Sequence, residues 1–204
     1  MPLFGPPNIE KLKAKRDIPA LINALSYKRN EWIRINAASA LGDFGDRSAV
    51  EGLIAALGDP WHGVRKAAAQ ALGKLGGPRA VVPLIQLLKE GEEDDREAAV
   101  SALGKIGDKR AAMCLGKALK ESDSFVQVPS IWALGKLGSG APVDSLIQSL
   151  KNADWYVRWG AVDALGNIGD QKALDPLRIL LNDKDECVRR AAEEAIRKIE
   201  SRNE

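Results

Sequence analysis

Histidine, cysteine and methionine are scarce in this chain: one His, two Cys and two Met in 204 residues. The scarcity removes most of the side chains on which metal centres and nucleophilic catalysis depend. Serine–histidine chemistry would have to use His62, which stands before Gly63 in an expected turn with no evident partner. No Cys-x-x-Cys pair, Walker loop or dinucleotide fingerprint occurs. Cys114 and Cys187 fall in different repeats of the pattern described below. Stacked helices lie about 8–10 Å apart, so these two thiols are expected beyond the ~7 Å Cα limit of a disulfide. Two free thiols fit a reducing compartment, and the expected location is cytoplasmic. No apolar run approaches the roughly 18 residues of a membrane span. The start, Met1-Pro2-Leu3-Phe4-Gly5-Pro6-Pro7, lacks the basic and apolar regions of a signal peptide. An excess of either charge is also missing. Thirty Lys and Arg against 28 Asp and Glu leave +2, so no bulk attraction to nucleic acid or an anionic membrane is expected.

What is abundant is periodicity. Ala-Leu-Gly recurs every 31 residues, at Ala40-Leu41-Gly42, Ala71-Leu72-Gly73, Ala102-Leu103-Gly104, Ala133-Leu134-Gly135 and Ala164-Leu165-Gly166. Ala195-Ile196-Arg197 is a degraded sixth copy. One supersecondary unit stacked repeatedly is the signature of a solenoid. Each unit holds two helical patterns. The first carries leucines four apart, on one helical face: Leu53 and Leu57, Leu84 and Leu88, Leu115 and Leu119, Leu146 and Leu150, Leu177 and Leu181. Pro83, Pro142 and Pro176 stand near the start of three copies, where a missing N–H matters least. The second runs through the triplet, with Val64, Ala68, Ala71, Leu72 and Leu75 as its expected buried stripe and Val157, Ala161, Ala164, Leu165 and Ile168 matching it. Gly45, Gly76, Gly107, Gly138 and Gly169 are expected C-caps. Asp46, Asp108 and Asp170 are placed to open the next unit.

The expected fold is therefore all-α: a right-handed α-solenoid of six helix pairs, forming one domain over 1–204. Residues 1–16 give a tail and a short N-terminal cap helix, and repeats follow at 17–46, 47–77, 78–108, 109–139, 140–170 and 171–204. Glu193, in a column that is apolar elsewhere, marks an exposed terminal repeat.

Val64-Arg65 through Gly76, followed by Ala80-Val81-Val82-Pro83-Leu84-Ile85, resembles the HEAT-like repeats often called phycobilisome-lyase-like, and the resemblance spans residues 17–199. It implies the solenoid fold. It also implies a choice of functions, because that family includes partner-binding scaffolds, bilin lyase subunits and a metal-dependent hydroxylase. The paired His-Glu motifs of that hydroxylase are missing, so the route to a metal or to catalysis through them is closed.

Removing the buried stripe leaves a second face, at eight, five, four and one residues before the triplet alanine and three after it. In the family this face lines the concave surface. Its core offsets repeat within the chain, but these positions vary. The fourth copy offers Phe125, Val128, Trp132 and Lys136; the fifth offers Tyr156, Trp159, Asp163 and Asn167, with Trp155 beside them. The first offers Trp32 and Ile35, with Ser39 and Asp43. The second and third are polar, with Lys66, Gln70 and Lys74, then Asp94, Glu97, Ser101 and Lys105. Clustered outward aromatics mark an interaction surface. The expected partner is another protein or peptide on the concave face of a monomer, with no cofactor. Lys74, Lys105 and Lys136 repeat at one offset, but Asp43, Asp94, Glu97 and Asp163 on the same face oppose a nucleic-acid backbone. A tetrapyrrole-handling or bilin-lyase-type subunit is the alternative.

Three irregularities carry further expectations. Arg34, Arg65, Arg96, Arg158 and Arg189 share one offset and are expected to pair with aspartates such as Asp46 and Asp108 in a ladder between repeats. Gln127 replaces the arginine in the fourth copy, where Pro129 should delay or kink the helix and could open a pocket. The run Glu90, Glu92, Glu93, Asp94, Asp95 is expected as a solvated loop before a helix N-terminus.

Overall fold

A computed structural model describes residues 6–121 and 124–202, without the side chains of residues 121, 124, 125 and 139. Every regular element among them is helical. Two compact units divide the chain, Met1–Ile106 and Gly107–Glu204. The first opens with the expected cap helix α1 (Ile9–Lys15), followed by the pairs α2 (Ile18–Ala24) with α3 (Glu31–Phe44), α4 (Val50–Ala56) with α5 (His62–Leu75), and α6 (Val81–Glu90) with α7 (Glu93–Ile106). The second holds α8 (Ala112–Glu121) with α9 (Ser124–Leu137), α10 (Val143–Ser149) with α11 (Trp155–Ile168), and α12 (Leu174–Ile179) with α13 (Glu186–Glu200).

Local chemistry sets the ends. The side chains of Asp46, Asp108 and Asp170 accept the backbone N–H of Ser48, Arg110 and Lys172 and start short 3-10 turns that lead into α4, α8 and α12. Gly45 and Gly169 end α3 and α11 in the left-handed conformation, which costs glycine least, and Gly76, Gly107 and Gly138 also take positive φ, between 61° and 69°.

The triplet itself has a steric explanation. Its leucine is buried, with Leu41, Leu72, Leu134 and Leu165 at 0% exposure. Its glycine and alanine meet across repeats. A Cβ on Gly42 would lie 2.8 Å from Ala71 Cα, one on Gly73 2.9 Å from Ala102 Cα, and one on Gly166 2.9 Å from Ala195 Cβ. The second helices pack backbone against backbone at these points, so both positions must stay small.

Four expectations need correction. Leu181 is exposed and Leu180 is buried instead, because α12 stops at Ile179 and a 3-10 turn over Leu180–Asn182 changes the angular step. Asp95 is not solvated. It occupies the offset of Val64 and Val157, is fully buried, and bonds Arg65 at 2.7 Å. The offset four before the triplet alanine is not on the open face in three copies, since Ala67, Ala98 and Gly160 are buried. Pro129 does not delay its helix: α9 has 14 residues, as do α3, α5, α7 and α11. Proline at its sixth position deletes one bond, to the carbonyl of residue 125 near the helix start, and packing carries the helix through.

The arginine ladder exists with other partners. Arg34 holds Asp59 through two bonds of 2.7 and 2.9 Å, Arg65 holds Asp95 and Glu92, and Arg158 holds Asp183 and Asp185. Each arginine also donates to carbonyls of the preceding loop: Tyr27, Asp59 with Pro60, and Asn152 with Ala153. The fourth copy keeps this pattern without charge. Gln127 donates to Leu119 O at 3.1 Å and accepts from Asn152 Nδ2 at 3.3 Å, and Asn152 stands at the offset of Asp59 and Asp183.

Candidate functional site

In the second unit, four expected residues form a continuous row of rings. Asp154 caps α11 by accepting the N–H of Tyr156 at 2.9 Å, which puts Trp155 and Tyr156 in the first turn and Trp159 one turn later. Trp155 meets Tyr156 edge-on at 5.6 Å, and Tyr156 stacks on Trp159 at 5.5 Å and 19°. Trp159 in turn meets Trp132 of α9 edge-on at 5.5 Å. Both geometries suit the ring quadrupole. Trp132, Trp155 and Tyr156 are 37%, 43% and 41% exposed, high values for rings this large; Trp159, in the middle, is half-buried.

The row has a polar margin. Lys136 is exposed one turn beyond Trp132, and the half-buried Asp163 follows Trp159 and accepts from Asn167 at 3.1 Å. A small groove of about 100 Å³ lies between α11 and α13, lined by Trp159, Asp163, Ala191, Glu194 and Lys198 among others. Val128 is half-buried on α9. The side chain of Phe125 lies outside the described residues.

Trp32 and Ile35 lie in the first unit. Trp32 is 64% exposed, and Ile35 packs its Cδ1 near Gly63. Trp61 also lies against Gly63, is 48% exposed, and was missed as a site residue. A signal was there: Trp61 holds the N-cap position that Asn30, Asp154 and Asp185 hold elsewhere, and it supplies no capping oxygen. Two ion pairs lie elsewhere on this face. Lys66 bonds Asp94 and Lys74 bonds Asp43, each at 2.7 Å, so both lysines already have carboxylate partners. The Lys66 bond holds the Asp94 carboxyl below its ordinary pKa. His62 begins α5 rather than lying in a turn, with Nδ1 3.9 Å from Asp94. Among the described residues no group of three or more His, Cys, Asp or Glu is arranged to hold a metal ion.

Comparison with known proteins agrees with this architecture. HEAT repeats match over residues 18–102, 81–151 and 126–197. The chain belongs to the HEAT-repeat family. No curated protein sequence matches it significantly. Among solved structures, an engineered protein is 25% identical with a TM-score of 0.68, over 91% of this chain and 97% of its own. A designed armadillo repeat protein in complex with the peptide (KR)4 is 20% identical with a TM-score of 0.71, over 90% and 99%, and bears on the fold alone. A chain in the complex of CpcE and CpcF of phycocyanin lyase from Nostoc sp. PCC7120 is 30% identical with a TM-score of 0.56, over 93% and 85%. Among the described residues, no helix of these HEAT repeats is long and apolar enough to cross a membrane.

Proposed function

We propose that this HEAT-repeat protein is a non-enzymatic scaffold that binds another protein or peptide on the face of α9 and α11. The carrying observation is the row Trp132, Trp159, Tyr156 and Trp155, three of whose four large rings are exposed in one contiguous strip. Aromatic anchors bordered by Lys136 and Asp163 have the composition of an interface centre with a polar rim. Trp32, Ile35 and Trp61 add a second, smaller contact in the first unit.

A photo-crosslinking side chain at position 132 tests this in native-host extract. Capture of one defined polypeptide from position 132, and not from exposed Val82 on α6, supports the scaffold. Equal capture from both positions contradicts it.

A tetrapyrrole-handling or lyase-type subunit is the second reading, favoured by the 30% identity to a chain of the CpcE–CpcF complex together with the exposed rings. Its test is the absorption spectrum of protein purified from the native host. A visible band carried by the protein supports this reading and displaces the first.

A further inference from the structure

The four rings differ from ordinary apolar surface in one respect. Each carries a polar group, and among the described residues neither the indole N–H of Trp132, Trp155 and Trp159 nor the phenol of Tyr156 bonds another protein group. Indole nitrogen is a donor only. The strip therefore presents apolar ring faces interleaved with hydrogen-bond donors. Its charges nearly balance: Lys136 offsets Asp163, Glu194 pairs with Lys198 at 2.9 Å, and the exposed Asp154, which accepts Tyr156 N–H, leaves a single negative charge at the end of the row. One uncompensated carboxylate is too little charge to select a polycation, and it disfavours a polyanion.

The complementary ligand is neutral, apolar and rich in acceptors without donors. Proline has these properties. Its ring is apolar, its carbonyl accepts, and it has no N–H. A run of prolines also holds the polyproline II conformation, whose carbonyls have no internal partner and whose order is largely present before binding. Other peptides bring backbone N–H groups, which the indoles cannot accept; apart from the Tyr156 phenol oxygen, the acceptors lie at the margin, on Asp154, Asp163 and Glu194. Ring-to-ring steps of 5.5, 5.5 and 5.6 Å span at most about five residues of that conformation, at roughly 3.1 Å per residue.

We propose that the aromatic row of α9 and α11 docks a proline-rich polypeptide segment in the polyproline II conformation. This rests on the scaffold reading above and names its partner class.

Blocked decaproline titrated into the full chain, followed by the ¹H–¹⁵N signals of the five indoles, is the test. The expected result is saturable movement of the Trp132, Trp155 and Trp159 signals, with Trp32 and Trp61 unmoved. A Gly-Ser peptide of equal length should move none. Trp132→Ala should weaken decaproline binding at least about thirtyfold. Trp132→Phe, which keeps a ring and removes the donor, should weaken it about three- to tenfold. Unmoved row signals, equal movement of all five, or full affinity in Trp132→Phe would each overturn the proposal. If decaproline fails while the polypeptide captured at position 132 moves the same three signals, the proline assignment falls and the scaffold stands. If neither moves them, both fall.

Discussion

Adding one methyl group at the glycine of the triplet tests the packing account. In isolation Gly→Ala inside a helix is favourable by about 0.8–1.0 kcal/mol. At Gly42 the new Cβ would sit 2.8 Å from both Cα and Cβ of Ala71, closer than real Cβ contacts, and backbone cannot swing aside. Overpacking costs about 1–3 kcal/mol, and a 2.8 Å approach to backbone that has to separate α3 from α5 belongs at the upper end, about 2–3 kcal/mol. The expected net loss for Gly42→Ala is about 1–2 kcal/mol, or a melting temperature lower by roughly 2–8 °C for a chain of this size. Gly135→Ala is the graded comparison. Its Cβ would lie 3.1 Å from Ala164 Cβ and 3.2 Å from its Cα, so a shift of a few tenths of an ångström relieves it. There strain and helix propensity should cancel to within about 0.5 kcal/mol. Thermal and urea unfolding followed by far-UV circular dichroism would measure both. If Gly42→Ala is as stable as the parent, or Gly135→Ala loses more, close helix approach does not explain the triplet.

Ser130 is fully buried, its hydroxyl has no hydrogen-bond partner among the described residues, and Ala37, Ala68, Ala99, Ala161 and Ala192 hold its offset elsewhere. Ser130→Ala should therefore raise stability by about 1–2 kcal/mol in urea unfolding; a loss would mean the hydroxyl is bonded. Arg158 and Asp183 are buried and doubly bonded, so Arg158→Ala should cost about 3–5 kcal/mol by the same measurement, and a cost below 1 would place the rung at the surface. The bond from Arg158 holds Asp183 below its ordinary pKa of 3.8, and Arg110 holds Asp108 at about 2. Because both folded-state values are depressed, their stabilisation is complete above about pH 4 and is lost as pH falls toward 2. An acid titration of the melting temperature should decline in that window, and Arg158→Gln should flatten it; an unchanged slope would refute the pairing.

The repeat register was legible because its cause is steric and recurs: a glycine against an alanine at Gly42, Gly73, Gly135 and Gly166, a leucine inward, and an aspartate before three of the 3-10 turns. The ladder was legible as to its arginines and not its acids. Asp46, Asp108 and Asp170 share a regular offset and are occupied as caps, whereas the acids that bind the arginines are less regular: Asp59 and Asp183 share an offset, Asp95 sits at another, and Asn152 replaces the acid in the fourth copy's rung. Asp95 was readable in principle, as a carboxylate in a valine column. Leu181 was not, since its exposure depends on a 3-10 turn that leucine spacing does not encode. For the site, helical spacing placed Trp132 and Trp159 on one stripe of neighbouring helices. The order of contact among the rings depends on rotamers and on the Asp154 cap, which periodicity does not reach.

The central claim is that Trp132 contributes to binding and little to folding. Its most direct test is to measure, on Trp132→Ala, affinity for the polypeptide captured at position 132 together with the melting curve. The account predicts an affinity lower by at least about 2 kcal/mol, roughly thirtyfold, with the melting curve moved by no more than a few degrees. Unchanged affinity, or a melting curve that collapses, would contradict it.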